Sequence, residues 1–201
     1  MLTEPALRVV LIYAHLLLCL LALFTVLRTD YRVVTRHISR RRLLQAHRHI
    51  VWLLTGLWLT GLAVVVVDLG PLGITISAMA ERPKLVAKLL CVSVLTANGA
   101  ALRYWSFPRL AAERRLSLRE AALVMATGAI SLTSWLLAAF YGIAKPLQQW
   151  PLAGTLGLYL GSVAVAVGAA FLLSPRLNTH RAPRISTALE QAAETLDFRV
   201  R

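Results

Sequence analysis

Two residues in this chain have the type and the setting to do chemistry: a lysine and a histidine, each inside an apolar run. Lys88 falls in Leu85–Leu102, a stretch otherwise apolar enough to cross a membrane. A cation in hydrocarbon costs about 2.5–3.5 kcal/mol on insertion scales, so it normally has a partner or a task. His15 stands alone in an earlier run, Leu7–Leu27. Neutral imidazole ligates haem iron and several divalent metals. A lysine that loses its proton is a ligand or a base; one that keeps it binds a carboxylate such as a porphyrin propionate. At about 1.5 Å per residue, His15 lies about 12 Å and Lys88 about 5 Å into their runs. The two side chains therefore meet in one half of a bundle if the first and third runs are neighbours. The blander expectation is that Lys88 snorkels to the near interface and His15 bonds a hydroxyl or carbonyl of an adjacent helix.

The elements that must position this pair are membrane helices. Hydrophobic residues make up 58% of 201, a membrane composition. Five runs, Leu7–Leu27, Ile50–Val67, Leu85–Leu102, Ala121–Ala144 and Trp150–Leu173, approach or exceed the roughly 20 residues that span hydrocarbon. The expected fold is an all-α integral membrane bundle of five transmembrane helices over residues 1–174, followed by a polar cytoplasmic tail over 175–201. The first run lacks a basic leader and a small-x-small cleavage signal, so it reads as a retained span.

The net charge of +13 follows topology. Seven arginines lie in the connection Arg28–His49, five in Arg103–Glu120 and five after Ser174, against Arg8, Arg82, Lys84, Lys88 and Lys145 elsewhere. That bias places the N-terminus outside and the C-terminus in the cytoplasm. The arginines read as orientation signals and contacts to anionic lipid, with no nucleic acid implied.

Small and polar residues suggest how the helices meet. Thr55-Gly56 and Thr60-Gly61 in the second run allow close backbone approach, with hydroxyls able to bond across or back to carbonyls. In the fifth, Gly157, Gly161, Ala164 and Gly168 form one stripe containing a GxxxG match, a packing face for a helix of this chain or of a homodimer or membrane-complex partner. In the tail, Thr187-x-x-Glu190 resembles a capping box, and Ile185, Leu189, Ala192 and Leu196 recur at helical spacing, predicting a short amphipathic helix. The apolar stretch Ile74–Met79 is expected to lie along the membrane surface.

Several chemistries find no support. There is no Ser/His/Asp constellation, HExxH or phosphate loop, and no acidic pair inside a run. Cys19 and Cys91 have no metal-ligand spacing and read as free thiols. His47 and His49, two apart, do not share a helical face. His37 and His180 lie in basic polar segments.

The order of features resembles a known group. A first-run His15 is followed by a polar exit with Asp30. The second run carries Thr55-Gly56. The third opens Pro83-Lys84-Leu85-Val86-Ala87-Lys88-Leu89-Leu90 and contains Asn98. This is similar to small bacterial inner-membrane proteins that include the copper-resistance CopD domain and the HemJ-type protoporphyrinogen oxidases, over residues 10–105. The resemblance implies a four- to five-helix protein associated with haem b. It also implies an essential histidine in span one and lysine near the start of span three, positions that His15 and Lys88 match. The tryptophan–glycine pattern after the histidine, a Trp-Leu-His before the lysine and an Asn-Glu-x-Pro stretch are absent, which fits a sister family within the group as well.

The leading expectation is thus a haem- or porphyrin-binding protein of the bacterial inner membrane with a redox role. His15 would be the axial ligand. Lys88 would be a second ligand, a base or a propionate contact, and Asn98 would orient a polar group. If it is an enzyme, it is a HemJ-like oxidoreductase with Lys88 and His15 as its catalytic pair. Two other expectations stand: a CopD-like copper-handling or transport protein using His15 and Cys19, one turn on, and a non-catalytic partner subunit of a membrane complex.

Overall fold

The fold follows from long apolar helices whose few polar groups find partners on one another. A computed structural model describes residues 4–35, 39–70, 75, 81–112 and 116–175. His37, His180, the tail beyond Pro175 and the Ile74–Met79 stretch apart from Thr75 lie outside the described residues. In chain order the helices are α1 (Glu4–Thr35), α2 (Arg40–Leu69), α3 (Pro83–Ala101), α4 (Phe107–Ala111), α5 (Leu118–Ile143) and α6 (Leu152–Leu173). There is no strand among the described residues. Five helical segments are long and apolar enough to cross a membrane, the third running through α3 to Ala111.

α1 and α2 extend well beyond the runs expected from hydropathy. α1 has 32 residues, or roughly 48 Å at the usual rise, more than ~30 Å of hydrocarbon requires. The surplus carries charge: Arg28 and Arg32 end α1, and Arg40, Arg41 and Arg42 begin α2. At its other end α2 stops at Gly70, whose φ of +71° suits a residue without a Cβ.

α3 and α4 are joined through a π-helical turn, Leu102–Ser106. Pro108 explains it: proline cannot donate to the Tyr104 carbonyl and its ring would clash there in a regular α-helix. The turn widens, and the Phe107 amide bonds Leu102 O, five residues back. Phe107 and Leu110 of α4 then reach Leu43 of α2 and Leu116, Ala121 and Val124 around the start of α5. We call this the arginine-rich end.

α5 is the central helix. It packs on α6, on α3 and on α1. Midway along, Trp135 of α5 meets Ala22 and Val26 of α1, Leu57 of α2 and Leu95 of α3, so the first and third spans share one packed cluster. Toward the other end, Ala138 and Tyr141 of α5 pack with Ala87 and Cys91 of α3 and Tyr159 of α6. Hydroxyls and amides stitch this seam. Asn98 Nδ2 donates to Thr127 O at 2.8 Å, Tyr141 Oη to Thr155 O at 2.6 Å, and Ser134 and Tyr159 bond each other at 3.0 Å.

The start of α5 is fixed by a reciprocal cap: the Glu120 amide donates to Ser117 Oγ and the Ser117 amide to Glu120 Oε2. Ser117→Ala removes one acceptor and is expected to lower stability by about 0.5–2 kcal/mol. Thermal unfolding in mild detergent reads this as a lower midpoint, while Glu120→Gln, whose amide oxygen still accepts, keeps most of the wild-type value.

Candidate functional site

The histidine is held by the helix beside it. α1 and α2 run antiparallel in contact, tied at one end by Arg8 Nε donating to Asp68 Oδ1 at 2.6 Å. Gly56 and Gly61 are where α2 lets α1 in. A Cβ at Gly56 would stand 3.0 Å from Leu18 Cδ1, and one at Gly61 would stand 3.3 Å from His15 Cε1. The imidazole therefore lies against bare backbone.

His15 Nδ1 lies 2.8 Å from Thr60 Oγ1. The Thr60 hydroxyl has one proton, directed back along its own helix to Gly56 O at 2.8 Å and Leu57 O at 3.3 Å. Threonines in apolar helices commonly satisfy themselves in this way. With that proton kept on its own helix, Thr60 is the acceptor and His15 Nδ1–H the donor; the ring tautomer decides between this and the reverse direction. Nε2 has no hydrogen-bond partner among the described residues, and in the Nδ1–H tautomer its lone pair is free. A histidine whose other nitrogen is fixed by a second group has the arrangement of a metal-ligating imidazole or of a base.

Lys88 and Lys84 stand one turn apart on α3 and differ sharply. Lys84 Nζ donates to Ala144 O at 2.9 Å, capping the last turn of α5. Lys88, half-buried, has neither a hydrogen bond nor an ion pair among the described residues. Its Nζ lies 3.9 Å from where a side chain on Gly142 would begin. Its charge acts on His15 and Cys19 of α1 and on Cys91 of its own helix. The structure thus brings the expected pair into one electrostatic neighbourhood, without a hydrogen bond between them.

The remaining residues sit apart or are engaged. Asn98 is ten positions along α3 from Lys88, about 15 Å, and its amide is committed to Thr127 beside the Ser106–Thr127 hydroxyl pair. Cys91 is fully buried with Sγ donating to Ser134 O at 3.1 Å, while Cys19 is half-buried. His47 packs edge-on against Phe107, ring centres 5.6 Å apart, at the arginine-rich end. No three His, Cys, Asp or Glu among the described residues come together as a metal-binding group. The stripe of α6 turns away from the chain: Gly157, Gly161, Ala164 and Gly168 are all exposed, and a Cβ on any of the three glycines would meet nothing within 4 Å.

The chain matches no protein-family model, no curated protein and no solved structure.

Thr60 is the residue of this site whose role the sequence left open. Thr60→Val removes the acceptor for a half-buried donor, a loss worth about 1–3 kcal/mol. The imidazole is then expected to leave the Nδ1–H tautomer, seen as exchanged ring-nitrogen shifts in 15N NMR of histidine-labelled protein. Thr60→Ser is expected to keep the wild-type pattern, and an unchanged Thr60→Val spectrum would show that Thr60 does not set the tautomer.

Proposed function

We propose that this chain is a haem- or porphyrin-binding membrane protein with a redox role. The observation that carries the reading is His15: one ring nitrogen is held by Thr60, the other has a free lone pair, and the Lys88 charge lies nearby. The donor set fits the group in chemistry and in sign. An imidazole Nε2 is an axial ligand for iron, and a tetrapyrrole with ionised propionates carries net negative charge beside a cation. Gly61 leaves the ring seated against backbone, so its plane is set by packing as well as by hydrogen bonding. When bound, haem supplies one-electron chemistry that no side chain here provides. The chain's own part is to present Nε2, to hold Lys88 at the same site as ligand, base or propionate contact, and to surround both with apolar helices that limit water.

Copper handling is the weaker reading. His15 and Cys19 are one turn apart and offer a soft pair, but the Lys88 charge acts on both, and a cation there opposes binding of a metal cation. The arginine distribution, seventeen of the 22 basic residues in the two connections and tail of one side, supports an N-terminus outside, a C-terminus in the cytoplasm and placement in a bacterial inner membrane. The outward face of α6 supports a self-association surface in which Gly157 and Gly161 let a second copy's helix approach.

Two measurements test these readings. Purified protein, supplied with haem, is expected to show a Soret band with reduced-state bands of haem b, lost or shifted in His15→Ala and Lys88→Ala. A featureless spectrum from folded wild type would end the tetrapyrrole reading. For association, Gly161→Leu is expected to convert a dimer to monomer in detergent ultracentrifugation without lowering the unfolding midpoint, since a Cβ there meets nothing within 4 Å among the described residues. A wild-type monomer at all protein concentrations would remove the surface.

A further inference from the structure

Lys88 poses a problem of charge that the described residues do not solve. Four acidic side chains are described. Asp68 is bound by Arg8 at 2.6 Å. Glu120 belongs to the cap of α5 at the arginine-rich end. Asp30 lies fifteen residues beyond His15 on α1, about 22 Å away along the axis, and Glu81 is exposed in the turn before α3. None pairs with Lys88.

The nearest compensating charge is the C-terminal end of α5, worth roughly half a negative charge and confined to its last turn. Lys84 already takes the terminal carbonyl, Ala144 O. Two ammonium groups thus share about half a unit of opposite charge, and Lys88 holds the poorer position. Its apolar surroundings make a missing counter-charge matter more than it would in water.

Access to the ammonium is built in. Gly142 is the α5 residue beside Nζ, and it is exposed. With no side chain there, Gly142 itself adds nothing over Nζ on that exposed face of α5. A ligand arriving from that side is an amphiphile: an apolar body in the bilayer and an anionic head at the ammonium.

We propose that Lys88, reached past Gly142, is a binding site for the anionic head of a lipid-soluble ligand, a carboxylate or a phosphate. The proposal rests on the same site as the tetrapyrrole reading but not on a tetrapyrrole as the occupant. It resolves the role of Lys88 in favour of a protonated anion contact rather than an iron ligand or base.

The test measures binding of tritiated oleate to the full-length protein in non-ionic detergent, with oleyl alcohol as the uncharged competitor. Saturable oleate binding is expected, with oleyl alcohol at least tenfold weaker. Lys88→Gln and Gly142→Leu, one removing the charge and the other covering it, are each expected to weaken oleate at least tenfold. Lys88→Arg should stay within about threefold of wild type, and Lys84→Gln should bind as wild type while unfolding at a lower temperature. Dioleoylphosphatidic acid as competitor separates the sources: displacement below the oleate concentration assigns a phospholipid head, displacement only above it a carboxylate.

Equal competition by oleate and oleyl alcohol in the wild type, which needs no variant to fold, overturns the proposal, as does wild-type affinity in folded Lys88→Gln. The haem spectrum fails independently. A Soret band without oleate discrimination removes the anion site and leaves the tetrapyrrole. Oleate discrimination without a Soret band does the reverse.

Discussion

A polar group placed among apolar helices must find its partner on the protein, and that constraint organises this structure. Between helices that face hydrocarbon, no hydrophobic force favours burying one apolar face against another over leaving it in lipid. What selects one arrangement is close packing and the pairing of polar groups that lipid will not solvate. The α5 seam illustrates it. Asn98, Ser106, Cys91 and Tyr159 come from elements on either side, and each finds a partner on α5, while Tyr141 of α5 finds its own on α6, at Thr155 O. Threonines with no cross-helix partner, such as Thr25 and Thr29, return their protons to carbonyls four residues back. Thr60 does both, giving its proton to its own helix and its lone pair to His15.

The same rule explains which features of the fold could be read from the sequence. Five apolar runs of sufficient length give five helices because composition alone decides whether a segment tolerates hydrocarbon. Their ends were less legible. Nothing in a hydropathy profile says that α1 continues through Arg28 and Arg32 to Thr35, since charged residues in a helix beyond the apolar slab cost little. The π turn also lies outside periodicity. Its cause, Pro108, is visible in the sequence, but proline permits a kink, a break or a wider turn, and the packing of Phe107 on Leu43 selects among them. The cap at Ser117-Leu118-Arg119-Glu120, by contrast, is fully written in the sequence as Ser-x-x-Glu.

The glycines show why a motif is not a contact. Gly56 and Gly61, outside any named motif, are where α1 comes closest to α2. Gly157 and Gly161 form the GxxxG match, and they face away from the chain. Spacing establishes that residues share a face. Which face points inward is settled by larger groups on the other sides of the helix, here Thr155 and Tyr159, which are buried and bonded to Tyr141 and Ser134 of α5. The direction of the stripe was therefore not available from α6 alone.

For the candidate site, the sequence supplied the anomaly and the structure supplied its partners. His15 and Lys88 stand out because their types conflict with their surroundings. Thr60 and Gly142 do not, since threonine and glycine are ordinary in apolar helices, and their parts in the site exist only through neighbours far away in sequence. Set against the rule that governs the rest of the bundle, the two lysines of α3 separate by one turn of helix. Lys84 has found a carbonyl and obeys the rule. Lys88 lies a turn deeper, beside a residue with no side chain, and departs from it. A lysine left without a partner, one turn from a lysine that has found its carbonyl, marks the place where the chain leaves a contact for something other than itself.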